Sequence, residues 1–173
     1  MKSTLIIFSS TDGHTLKICE RIMGFEKNKD DSQIASISEA EHINISEFKR
    51  IIIGASIRYG KHKPDLYEFI ESNLDEISSK ENAFFSVNVV ARKPEKNTPE
   101  TNPYVKKFLL KTSWKPRSLE VFAGKIDYPK YNFIDKHMIR FIMWMTKGPT
   151  NINNTYEFTD WDMIDSFAKK VIT

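Results

Sequence analysis

The sequence predicts a doubly wound α/β fold, and three observations predict it. Short apolar runs alternate with amphipathic stretches along most of the chain, the runs end in polar or glycine-containing turns, and their branched residues suit strands buried on both faces. Strands separated by helices imply an open parallel sheet with helices on both sides, because parallel neighbours need crossover connections.

Residues 4–8 (TLIIF) are the first such run and read as a central strand. After the polar turn 9–14, Leu16, Cys19, Ile22 and Met23 recur at helical spacing, and Gly24 offers a stop. Residues 32–37 (SQIASI) and 50–54 (RIIIG) read as the second and third strands. Pro64 suits the first turn of a helix that carries Leu66, Phe69, Ile70 and Leu74 on one face. Residues 83–90 are strand-like again. Asn102 caps a helix that runs from Pro103 to about Leu110, residues 119–123 form a fifth strand, and Thr159 with Asp162 caps a last helix carrying Ile164, Phe167 and Val171. Residues 126–154 exceed an ordinary connection and read as either a functional insertion or a disordered segment.

With 173 residues, 40% of them hydrophobic, the chain holds enough apolar material for one domain spanning 1–173. Cys19 is the only cysteine, which excludes an internal disulfide and any multi-cysteine metal centre and fits a reducing, cytoplasmic setting. The apolar run near the N-terminus is too short for a signal peptide. The net charge of +3 is unevenly spread: residues 92–147 hold 13 Lys or Arg against 5 Asp or Glu, so an anionic partner is expected on that side.

The loop Ser10-Thr11-Asp12-Gly13-His14-Thr15 joins a buried strand to a helix N-terminus, where backbone N–H groups and the helix dipole favour an anion. Hydroxyls of Ser10, Thr11 and Thr15 add donors, and Gly13 permits close approach. The loop carries neither a GxxxxGK[ST] nor a GxGxxG pattern, which argues against nucleoside triphosphates and dinucleotides. Read alone, it is equally an ordinary polar turn with a capping threonine. Ligands of open sheets gather at the carboxyl ends of strands, so Ser56, Ile57, Arg58, Tyr59 and Gly60 after strand three, and Ser86, Val87, Asn88, Val89 and Val90 after strand four, should share the site.

The phosphate-type loop resembles that of flavodoxins, and the chain as a whole resembles the menaquinone-dependent protoporphyrinogen IX dehydrogenases of bacterial haem biosynthesis. The resemblance rests on GASIRYG (54–60), SVNVVARKPEK (86–96), residues 98–109 and YEFTDW (156–161); residues 24–49 are the least family-like. It implies a flavodoxin-like sheet of order 2-1-3-4-5 that binds FMN through residues 10–15, with Ser56 to Gly60 and Ser86 to Arg92 around the ring. It also implies oxidation of protoporphyrinogen IX in two-electron steps, with electrons passed to a membrane quinone. The flavin performs that chemistry, so no acid or base residue is named.

The same resemblance makes Arg58, Arg92, Lys93 and Arg140 candidate ligands of the porphyrinogen propionates, since guanidinium binds carboxylate in a fork. Residues 133–147 (FIDKHMIRFIMWMTK) place Ile134, Met138, Phe141, Ile142 and Met145 on one helical face and Lys136, Arg140 and Lys147 on another. That segment is too short and too charged to span a bilayer; core packing is the ordinary use of such a face, but its place in a surplus connection favours a substrate surface or a peripheral contact with the inner face of the membrane. His14, His42, His62 and His137 lack metal-ligand spacing and read as polar or surface residues, so no metal is expected. A flavodoxin-type electron carrier and an NAD(P)H-dependent quinone reductase are the alternatives. The carrier's expected acidic surface conflicts with a pI of about 8.8. A nucleic-acid partner would explain the basicity but not the phosphate loop together with the insertion.

Overall fold

A computed structural model describes residues 1–172. The chain builds β1 (Lys2–Ser9), α1 (His14–Met23), β2 (Gln33–Ser36), α2 (Ile37–Ala40), β3 (Phe48–Ser56), α3 (Pro64–Ser72), α4 (Leu74–Ser79) and β4 (Glu81–Val87). It continues through α5 (Pro103–Lys111), β5 (Ser118–Phe122), β6 (Lys125–Asp127), α6 (Phe133–Met145), β7 (Thr155–Glu157) and α7 (Trp161–Ile172). The first five strands form one parallel sheet of order β2-β1-β3-β4-β5, as expected.

Alternation along each strand sends apolar side chains to both faces, because successive Cβ atoms point in opposite directions. Leu5, Ile7, Ile51, Ile53 and Phe84 meet α2, α3, α4 and α5 on one side, where Phe84 stacks on Phe108 with ring centroids 3.9 Å apart. Ile6, Ile52, Phe85 and Phe122 meet α1 and α7 on the other. Gly54 lies directly beneath Phe85, and a Cβ there would overlap the ring.

Three local expectations need correction. The fourth strand ends at Val87 rather than 90, because the Asn88 side chain accepts the Ala91 N–H (3.1 Å) and winds residues 89–92 into a 3-10 turn. The helix expected to run through Leu74 breaks at Asn73, whose side-chain amide donates to the Phe69 carbonyl (2.8 Å), a competition with the helical ladder typical of Asn. The cap of α7 is Asp160, whose carboxylate accepts the Met163 N–H (3.1 Å); the Thr159 hydroxyl instead pairs with His14 Nε2 (2.6 Å). Asn102 does cap α5, accepting from the N–H groups of Tyr104 and Val105.

The long late segment is ordered. β6 and β7 pair antiparallel, with Ile126 opposite Tyr156, and α6 lies between them in sequence. Met143 is buried and Ile139 and Ile142 pack with it on Ile126, Tyr128 and Tyr156. The predicted apolar face divides accordingly: Ile142 turns inward, while Ile134, Met138, Phe141 and Met145 are exposed together with Phe133 and Trp144. The helix is therefore apolar on two sides, and the insertion's own small core covers one.

Candidate functional site

The 10–15 loop leaves β1 at the carboxyl edge of the sheet. Ser10 Oγ accepts the Gly13 N–H (3.0 Å), and Gly13 takes φ 79°, the left-handed region that glycine enters without strain. Gly13 sits at the N-cap of α1, and no side chain caps the helix. No side-chain cap therefore takes up the donors of the first helical turn, and a Cβ on Gly13 would meet nothing within 4 Å. Thr15 adds a sharper signal: its hydroxyl is fully buried and has no hydrogen-bond partner among the described residues. Lys63 brings its Nζ to the Ser10 carbonyl (3.1 Å), placing a cation at the loop. An uncapped helix start, an orphaned buried hydroxyl and a nearby ammonium together fit a phosphate.

From this loop a cleft runs toward α6. Its phosphate end, about 50 Å³, is lined by residues of the 10–15 loop with Ser56, Ile57, Arg58, Val87, Asn88 and Gly124. Its outer end, about 120 Å³, lies among Tyr59, Gly60, Val90, Tyr104, Tyr131, Ile139, Ile142 and Met143. Both ends share Asp12, Ile57, Arg58, Asn88, Val89 and Lys125, so the two spaces adjoin. Arg58 spans the join: its Nη2 bonds Asp12 Oδ1 (2.5 Å), and its guanidinium lies over the Tyr131 ring at 5.1 Å. Arg58 Nη1 is buried without a partner among the described residues, which leaves a charged donor available beside the cleft. Tyr59 and Gly60 form the two-residue turn closed by Arg58 N–H to Lys61 O (3.0 Å) and Lys61 N–H to Arg58 O (3.3 Å). Both central residues take positive φ (51° and 74°), and for tyrosine this conformation costs roughly 1–2 kcal/mol.

This arrangement can be set beside known proteins. A flavodoxin-domain family model matches residues 5–153. Protoporphyrinogen IX dehydrogenase [quinone] of Escherichia coli K12 is 38% identical over 169 residues, covering 97% of this chain and 93% of that protein. The chain belongs to this dehydrogenase family. A Leishmania major member is likewise 38% identical, over 95% of this chain and 72% of its own length. Among solved structures, a short-chain flavodoxin associated with a bacterial microcompartment shares the fold with a TM-score of 0.54 at 10% identity, over 99% of this chain and 97% of that one.

Within the family chain, the predicted loop residues Ser10, Thr11, Asp12, His14 and Thr15 do line the cleft, as do Ser56 to Gly60 and Val87 to Val90. The His14 ring is nevertheless held against Thr159 and edge-on to Trp161, and burial pushes its pKa below the usual histidine value. Ser86 is fully buried and lies beneath the cleft. It anchors a polar chain in which Ser86 Oγ pairs with His62 Nε2 (2.9 Å) and accepts from Asn88 Nδ2 (3.4 Å), while the amides of Asn88 and Asn102 bond each other reciprocally (3.1 and 3.3 Å). His62 is thus no surface residue. It is buried against Phe84 and Phe108, and desolvation, reinforced by Lys107 and Lys111, pushes its pKa down to about 4.

The candidate propionate ligands separate. Arg58 lies in the cleft, whereas Arg140 lines a shallow depression on the far side of α6 with His137, Phe141, Trp144 and Thr150. Lys93 precedes a second 3-10 turn and does not line the cleft. Arg92 is engaged in bonds to protein carbonyls, its Nη1 on Val89 O (3.0 Å) and its Nη2 on Thr146 O (3.1 Å). Lys125 and Tyr131 escape sequence reasoning. They reach the cleft only because β6 folds back beside the phosphate loop, and a strand of three residues carries almost no local signal. A larger hollow, about 870 Å³, lies at the opposite end of the sheet around Phe25, Phe48 and the Glu26–Arg50–Glu81 ion pairs, remote from these loops.

Proposed function

We propose that this chain oxidises protoporphyrinogen IX to protoporphyrin IX with FMN as its cofactor and a quinone as electron acceptor, a step of haem biosynthesis. Bound FMN supplies reversible two-electron redox chemistry at its ring. The chain's own residues bind, orient and exclude water. The backbone donors at the start of α1 and the hydroxyls of Ser10, Thr11 and Thr15 hold the phosphate, with Lys63 adding charge. The 56–60 and 87–90 segments flank the ring. Ligand pockets usually enclose about 300–1,000 Å³, and the Arg58–Asp12 bridge narrows this cleft, so Arg58 would have to turn aside for a flavin to be held there. Arg58 and Lys125, both lining the outer end, would offer cations to substrate carboxylates.

The observation that carries this reading is that the two spaces adjoin: the one built from the 10–15 loop borders an apolar one walled by Ile139, Ile142 and Met143 of the insertion. A soluble electron carrier needs the first end and has no use for the second. No helix among the described residues is long and apolar enough to cross a membrane. The exposed Phe133, Ile134, Met138, Phe141, Trp144 and Met145, with Lys136, Arg140 and Lys147 nearby, instead suit a peripheral seat on the inner membrane surface, where a quinone is reached.

Purified protein carrying FMN should convert protoporphyrinogen to fluorescent porphyrin when menaquinone is supplied. Absence of porphyrin with FMN intact would move the reading to an electron carrier. Bleaching of the flavin by NADPH alone would favour a quinone reductase. Deleting residues 131–147 should spare FMN binding and abolish porphyrin formation, and removing the exposed aromatic pair with F141S/W144S should release the protein from anionic vesicles.

A further inference from the structure

We propose that Arg92 is a positioning residue that straps the end of α6 to the loop after β4 and so holds the apolar wall of the cleft in place; this rests on the dehydrogenase reading above. The insertion has a core of its own, made by Ile126, Tyr128, Met143 and their neighbours. Val89, from the loop after β4, and Phe158, which also packs against Ala91, Val105 and Val121, connect that core to the main sheet. Arg92 sits at this junction. Its Nη1 donates to the carbonyl of Val89, its Nη2 donates to the carbonyl (3.1 Å) and hydroxyl (3.3 Å) of Thr146, and its guanidinium lies 5.9 Å from the Phe158 ring centroid. One side chain therefore touches the β4 loop, the end of α6 and the apolar link between them.

The local chain is shaped to receive it. Thr146 is the C-cap of α6, where unpaired carbonyls and the negative end of the helix dipole favour a cation. Lys147 takes φ 57°, and Gly148 N–H closes the helix by donating to the Met143 carbonyl (2.7 Å). A Cβ on Gly148 would come within 2.6 Å of Met143 Sδ and 3.0 Å of Arg92 Nη2, so the guanidinium packs against bare backbone. A planar fork reaches two carbonyls in different directions at once, which an ammonium on a flexible stem does poorly. With its fork filled by protein acceptors, Arg92 acts on substrate through α6: Ile139, Ile142 and Met143, the residues it keeps in register, line the outer cleft. Arg92 bonds Val89 and Thr146 rather than the 10–15 loop, so the phosphate-type loop is held independently of the strap.

The test separates a strap from a direct carboxylate ligand. In the FMN-loaded protein, Arg92→Ala should speed amide hydrogen exchange about tenfold through residues 139–148 while leaving the α1 amides unchanged. It should also raise KM by a similar factor for porphyrinogen and for its dimethyl ester alike, and Arg92→Lys should restore little of either. Arg92→Met, which keeps the apolar stem and removes only the donors, should reproduce the exchange change and serves if Arg92→Ala folds poorly. Unchanged exchange in α6 would overturn the proposal, as would a KM effect confined to the free acid. Exchange needs no turnover, so an inactive wild-type protein would refute the dehydrogenase reading and leave the strap still decided.

Discussion

Thr15→Val should make the flavin-free protein more stable and its hold on FMN weaker, two effects of opposite sign from one atom. The Thr15 hydroxyl is buried, with the residue only 1% exposed, and nothing among the described residues bonds it. An unsatisfied buried hydroxyl costs roughly 1–3 kcal/mol, and valine fills nearly the same volume with a methyl, so urea unfolding of the stripped protein should shift upward by about that amount. Helix propensity contributes little, since threonine and valine are close on that scale. Once phosphate is present the balance inverts: a hydrogen bond to a charged group contributes about 1.5–3 kcal/mol, which is roughly a 10- to 150-fold rise in Kd. Flavin fluorescence quenching on titration would read it. The reasoning fails if the variant is less stable without flavin, or if its Kd stays within about twofold of the parent.

Three further outcomes follow from the packing. His62 is held neutral with a pKa of about 4 against 6.5 when exposed, so the unfolded chain binds its proton first and stability falls as pH drops from 6.5 to 4, by up to about 3 kcal/mol. His62→Gln should flatten that slope in pH-dependent urea unfolding, and an unaltered slope would assign it to other groups. Phe84→Ala removes the ring stacked on Phe108 and should cost about 3–5 kcal/mol, read as a lowered thermal midpoint. Tyr59→Gly should relieve about 1 kcal/mol of backbone strain at φ 51° yet weaken FMN binding if the ring flanks the flavin; equal affinity would remove Tyr59 from the site.

The sheet was readable because each strand is a contiguous apolar run, and burial on both faces leaves no other use for TLIIF or RIIIG. The anion loop was readable for a similar reason, since its chemistry lies in adjacent residues. Element ends were less so. Asn73, Asn88 and Asp160 decide them through single side-chain bonds that compete with regular backbone pairing, and the pattern of apolar residues contains nothing of that competition.

By itself, then, the sequence determined the doubly wound α/β pattern, a candidate anion loop after the first strand and the existence of an apolar, basic insertion, all of which are written in local periodicity and composition; the strand order came from the family resemblance. Tertiary structure alone decided what met across the chain. It turned half of α6 inward and left half bare, brought Lys125 beside Asp12 and Arg58, buried His62 on Ser86, and directed the Arg92 fork to carbonyls 3 and 54 residues away. A guanidinium's partners depend on which acceptors folding leaves unpaired within reach. That is a property of the packed chain, and no spacing along it carries the information.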